Sequence, residues 1–146
     1  MLNDKSGLDS ALAFSRPEAL GHPVTKEDDG YLQAWEILEQ LKLNADLVVL
    51  STCELGLGEM IGGEGLIGMT RAFQYAGARS VVAALWEVSD ESTAALMTTF
   101  YRELKMGASK DAALQRAMAT VRNNKSRPIW RHPYYWASFV LTGDWQ

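Results

Sequence analysis

The sequence of 146 residues contains one cysteine and two histidines, and it has no apolar run long enough to cross a membrane. A single cysteine excludes an internal disulfide, so the chain is not a disulfide-stapled secreted domain, and we expect a cytoplasmic location. The first residues turn polar at once and contain no apolar signal-peptide core. We therefore expect neither export nor a membrane partner.

Basic charge is also scarce. Lys and Arg number 14 against 18 Asp and Glu, a net charge of -4. Because nucleic-acid affinity comes mainly from clustered basic side chains, no nucleic-acid partner is predicted. Hydrophobic residues make up 47% and charged residues 22%, the balance of a globular domain, and the length fits a single domain.

Apolar spacing, capping residues and turn residues divide the chain into alternating elements. The predicted strands cover 10–15, 46–51, 79–86 and 137–143, and the predicted helices cover 31–41, 66–75, 89–105 and 109–122. This alternation predicts an α/β fold with a parallel sheet. The strand at 46–51 is apolar on both faces, which is typical of mid-sheet strands and requires helices on both faces of the sheet.

The chain's cysteine, Cys53, follows this buried strand and opens a glycine-rich loop. Reactive groups collect at the carboxyl ends of parallel strands, and the glycines let peptide N–H groups approach a developing oxyanion. Cys53 is thus either a nucleophile or a small buried apolar side chain. The glycine spacing matches neither the dinucleotide fingerprint nor the P-loop, which has lysine where this chain has Glu64. We expect no cofactor and no metal.

Three stretches, "LVVLSTCELGLGEMIGGEG", "SVVAALWEVSDESTAALM" and "HPYYWASFVLTGDW", resemble the C-terminal part of a CHAT domain, a family similar to caspases and separase. The resemblance implies a three-layer caspase-like sandwich, a mostly parallel sheet with helices on both faces, incomplete at its N-terminal side. By the match at "LSTCELG", Cys53 occupies the nucleophile position of a cysteine endopeptidase.

The family's catalytic histidine stands in a His-Gly motif just before the segment that matches "LNDKSGLDSALAFS". The resemblance therefore implies that residues 1–146 are one domain without its N-terminal strands and that motif, the base being supplied from upstream of Met1. A cysteine of pKa about 8.5 is only slightly ionised at neutral pH without such a base, so we expect this chain alone to be inactive. The alternative function is a catalytically inactive protein-interaction module. Family members also imply an upstream helical-repeat region.

Four further residues are predicted to bind a protein or peptide substrate: Glu54, Gly56, Trp86 and Asp90. Trp86 would form a pocket wall, and Asp90 or Glu87 would meet a basic side chain. The competing interpretations are a helix cap for Asp90 and an exposed loop carboxylate for Glu54, which would raise the pKa of the neighbouring thiol.

The two histidines are weaker candidates for a substitute base. His132 precedes a proline in an aromatic cluster, which favours a packing role, and His22 lies in a turn-rich connector.

Finally, the strand at 46–51 would expose an unpaired edge without its upstream neighbour, which predicts self-association through that edge, pairing with the strand at 10–15, or aggregation.

Overall fold

The computed structural model describes residues 10–14, 29–51, 64–87 and 89–146. The chain divides into two compact units: unit 1 comprises Met1–Ala45 and Glu54–Ala78, and unit 2 comprises Asp46–Cys53 and Arg79–Gln146. Unit 1 contains β1 (Ala11–Ala13), β2 (Tyr31–Gln33), α1 (Ala34–Gln40) and α2 (Glu64–Tyr75). Unit 2 contains β3 (Val48–Leu50), β4 (Ser80–Ala84), α3 (Asp90–Lys105), α4 (Lys110–Arg122), two short 3-10 helices (Pro128–Arg131 and Pro133–Tyr135) and β5 (Phe139–Gly143).

In unit 1, the helix predicted at 31–41 begins three residues later than expected. Tyr31–Gln33 forms β2, which pairs antiparallel with β1. Gln33 then caps α1, its backbone N–H donating to the Glu36 carboxylate at 2.8 Å. The buried residues of α1 are Ala34 and Ile37.

The helix predicted at 66–75 is confirmed as α2, and its C-terminal signal is a glycine. Gly77 has φ of 114°, a conformation that favours glycine. A Cβ at this position would also clash with the Leu43 carbonyl oxygen. Met69 and Phe73, four positions apart on α2, are buried.

Unit 2 is built on a three-stranded sheet in the order β3-β4-β5. β3 and β4 are parallel, with Val49 opposite Val82, whereas β5 runs antiparallel to β4, with Leu141 opposite Val82. The prediction of a parallel final strand is therefore wrong. Two helices separate β4 from β5, and the chain enters β5 at the edge where β4 ends.

Helices α3 and α4 cover one face of this sheet. Ser89 and Ser109 precede them and Gly107, at φ 87°, lies between them, as the capping signals predicted. The core they share with the sheet consists of Val82, Leu96, Phe100, Ala113, Leu114, Ala117, Val121, Trp130 and Phe139. The α/β class is confirmed. None of the helices in the described ranges is long and apolar enough to cross a membrane.

Candidate functional site

The parallel pairing of β3 and β4 brings their carboxyl ends to one edge of the sheet. Leu50, the last residue of β3, lies opposite Ala83 of β4. In sequence, Cys53 comes three positions after Leu50. Cys53, Glu54 and Gly56 lie outside the described residues, and the described part of this edge is the connection after β4.

Trp86 follows β4 by two positions and stands at this edge. Its side chain is 38% exposed, and its indole Nε1–H donates to the Tyr134 carbonyl oxygen at 3.1 Å. The preceding Leu85 is 49% exposed, and its backbone N–H donates to the Ser138 carbonyl oxygen at 2.7 Å. Hydrogen bonds thus fix this connection against the segment before β5 while two large apolar side chains remain open to solvent.

Asp90 is the first residue of α3 and is exposed. The prediction that Asp90 caps the helix is wrong: Ser89 is the N-cap residue, and its carbonyl oxygen accepts the Thr93 N–H at 3.0 Å. A carboxylate in the first helical turn is instead favoured by the helix dipole. Glu87 is exposed as well, so this connection carries two solvent-facing carboxylates.

The segment before β5 supplies edge residues that sequence reasoning missed. Tyr134 is 43% exposed and accepts the Trp86 hydrogen bond through its carbonyl. Ser138 is fully buried, and its Oγ has no hydrogen-bond partner among the residues that the structure describes. The aromatic cluster before the last strand was the signal that could have found these residues. It indicates a position at this edge of the sheet only when β5 is known to run antiparallel to β4.

His132 does not pack in a core as predicted. It is exposed, and its Nδ1 accepts the Tyr134 backbone N–H at 3.2 Å, capping the second 3-10 helix. His22 lies outside the described residues. Within the ranges given above, no three His, Cys, Asp or Glu side chains are grouped as a metal site.

Comparison with known proteins identifies a family over almost the whole chain. The family model described as CHAT domain matches residues 3–144. Tetratricopeptide repeat protein 28 of Mus musculus is 38% identical over 113 residues, and that of Homo sapiens is 36% identical over 113 residues. Each alignment covers 77% of this chain, and the chain spans about 4% of the length of these two relatives.

Proposed function

The chain belongs to the CHAT-domain family, and from that premise we propose that it is the nucleophile-bearing C-terminal portion of a caspase-like cysteine endopeptidase. The observation that carries the proposal is the parallel pairing of β3 with β4, since it brings together the strand that precedes Cys53 and the strand that precedes Trp86. Sites in α/β sheets form at such an edge.

The proposed reaction is acyl transfer to Cys53. The thiolate attacks the peptide carbonyl carbon, the C–N bond breaks as the amine leaves with a proton, and water then hydrolyses the thioester. A histidine from upstream of Met1 would take the thiol proton and return it to the amine. No cofactor is needed for this chemistry.

The complete fold is proposed to be a three-layer caspase-like sandwich. β3 is an edge strand among the strands that the structure describes, so its outer edge can accept a strand from upstream. β1 pairs with β2, and the option that the strand at 10–15 covers β3 is wrong. Without an upstream strand, this edge remains our proposed surface for self-association.

The exposed groups after β4 bear on the substrate. We place Trp86 at a pocket wall and assign Glu87 and Asp90 to a basic side chain of the peptide, because both carboxylates are exposed on the same short connection. Glu54 and Gly56 complete the proposed substrate-binding set through their positions next to Cys53.

The relatives favour a second candidate, an interaction module that retains the cysteine without the chemistry. Both are named as tetratricopeptide repeat proteins, and this chain matches about 4% of each. A longer parent chain with a helical-repeat region follows as a proposal. In such a chain this domain would bind a protein through the β3 edge or the glycine-rich loop.

The two functions are separated by testing the chain with and without its upstream coding segment against peptides carrying Arg, Lys or an apolar residue before the cleavable bond. For the enzyme we expect no hydrolysis by the chain alone and hydrolysis by the extended chain. Cys53→Ser, matched to the cysteine in size, must abolish that hydrolysis. An extended chain that hydrolyses none of the peptides contradicts the enzyme and supports the module.

Alkylation of Cys53 by iodoacetamide gives an independent readout. In the chain alone we expect the rate to rise with pH around a midpoint of about 8.5, the value of an unassisted thiol. In the extended chain the midpoint should fall, because an imidazolium stabilises the thiolate. A midpoint well below 7 in the chain alone would instead point to His22 or His132, tested by His→Gln variants.

A further inference from the structure

Two adjoining hollows in unit 2 run along α4 and form one groove, since Gln115 and Met118 border both. One has a volume of about 570 Å³ and is walled on its far side by Leu141 and Trp145. The other has a volume of about 330 Å³ and is walled by Trp136. Trp145 is 53% exposed and Met118 is half-buried, so the groove offers apolar surface to a partner.

α4 contributes seven residues along the groove, and six of them are arranged symmetrically about the middle of the helix. These six are Asp111, Leu114, Gln115, Met118, Ala119 and Arg122, and the seventh is Arg116. Read from either end of the helix, a charged residue is followed by two pairs of adjacent residues and then by a second charged residue. Three positions separate each of these groups from the next. At roughly 3.6 residues per turn, Asp111 and Arg122 lie about three turns apart on one stripe. The terminal charges have opposite sign.

We propose that this groove is covered by the same groove of a second copy of the chain, with the two α4 helices antiparallel across a two-fold axis. Such a contact is self-complementary. Asp111 then faces Arg122 of the second copy twice, and Gln115 faces Met118 twice. A two-fold axis across the helix reverses the order of charges, so opposite charges meet, whereas a parallel neighbour would bring like charges together.

The charged groups at the two ends retain hydrogen-bonding capacity for such pairs. The Asp111 carboxylate accepts from the Ser109 hydroxyl at 2.5 Å and from the Ala112 N–H at 2.7 Å, and a carboxylate offers about four acceptor sites. The Arg122 guanidinium lies over the Trp136 ring, 5.7 Å from its centroid, and within the described part of the chain it forms no ion pair.

Arg116 is the other charged residue of α4 that borders the groove, and it pairs with a residue of α3. Its Nη1 is 2.9 Å from a Glu103 carboxylate oxygen on α3. Arg116 is thus paired with a carboxylate of its own chain, whereas Asp111 and Arg122 supply the charges of the symmetric set.

Charge exchange tests the pairing by sedimentation velocity over a concentration series of the 146-residue chain. Asp111→Arg and Arg122→Asp should each weaken dimerisation by about tenfold, because two exposed ion pairs become two repulsions. Mixing the two variants should restore a heterodimer in which all facing charges are opposite. Thr120→Asp, on the opposite side of α4, is the matched control and should change nothing.

Disulfide formation provides a second measurement that does not depend on the charged residues. In a Cys53→Ser background, chains carrying Gln115→Cys are mixed with chains carrying Met118→Cys under mild oxidation. The proposal predicts a crosslinked heterodimer, and Thr120→Cys in place of Met118→Cys should not crosslink. A monomer at all concentrations, an oligomer unaffected by charge exchange, or crosslinking equal to that of the control would overturn the proposal; the second result would favour the β3 edge.

Discussion

Replacing Phe100 by alanine tests the packing that supports β4 and the connection after it. Phe100 is fully buried in the core shared by α3, α4 and the sheet. Truncating such a side chain leaves a cavity and costs about 3–5 kcal/mol. Total stabilities of domains are about 5–15 kcal/mol, so this one change removes a large share. At roughly 2–4 °C per kcal/mol, we expect the melting temperature to fall by about 10–15 °C.

The neighbouring aromatic residue is the control. Tyr101 is 51% exposed, although its ring contacts Phe100 with centroids 5.5 Å apart. Tyr101→Ala should therefore cost no more than about 1 kcal/mol, the share attributable to that contact. Calorimetry and urea unfolding followed by tryptophan fluorescence measure both variants. Equal losses for the two, or a loss below about 1 kcal/mol for Phe100→Ala, would refute the assigned core.

Two further predictions concern hydrogen bonding in unit 2. Ser138→Ala should leave the free energy of unfolding in urea unchanged or raise it by about 1 kcal/mol, because the buried Oγ has no hydrogen-bond partner in the described part of the chain. A clear decrease in that free energy would mean that the Oγ bonds a group outside those ranges. The Ser109 hydroxyl and the Ala112 N–H lower the pKa of Asp111 in the folded chain. The ionised Asp111 carboxylate therefore stabilises the folded chain above the unfolded pKa of about 3.9, and this stabilisation is lost as the pH falls through the lower folded pKa. We expect the free energy of unfolding of Asp111→Asn to decrease less on acidification than that of the unsubstituted chain. Parallel acid-unfolding curves for the two would contradict this assignment.

Helix boundaries were predictable where the signals are local. Ser89, Ser109 and Gly107 act within one turn of the chain, and the observed bounds of α3 and α4 agree with them. Gly77 belongs to the same class, because its positive φ and the nearby Leu43 carbonyl require glycine. Such features depend on short-range sterics and hydrogen bonds, which sequence contains in readable form.

Pairing between distant segments was not predictable in the same way. Tyr31–Gln33 continues the apolar spacing of a helix, but a partner strand in β1 gives its backbone a different set of hydrogen bonds. The direction of β5 likewise depends on the path of the chain through α3 and α4 and not on the apolar pattern of β5 itself. The family resemblance placed Cys53 in a motif, and Cys53 itself lies outside the described ranges.

The antiparallel direction of β5 changes which residues can contribute to the proposed site. A parallel β5 would bring Thr142 and Gly143 to the edge at which β3 and β4 end. In the observed sheet Ala84 lies opposite Phe139, so the residues just before β5 flank that edge instead. Both hydrogen bonds from the connection after β4 go to this segment, from Leu85 to Ser138 and from Trp86 to Tyr134. Because these bonds tie the two segments together, a peptide bound against Trp86 would also lie next to the exposed Tyr134. The proposed substrate surface therefore extends from the connection after β4 to the aromatic segment before β5.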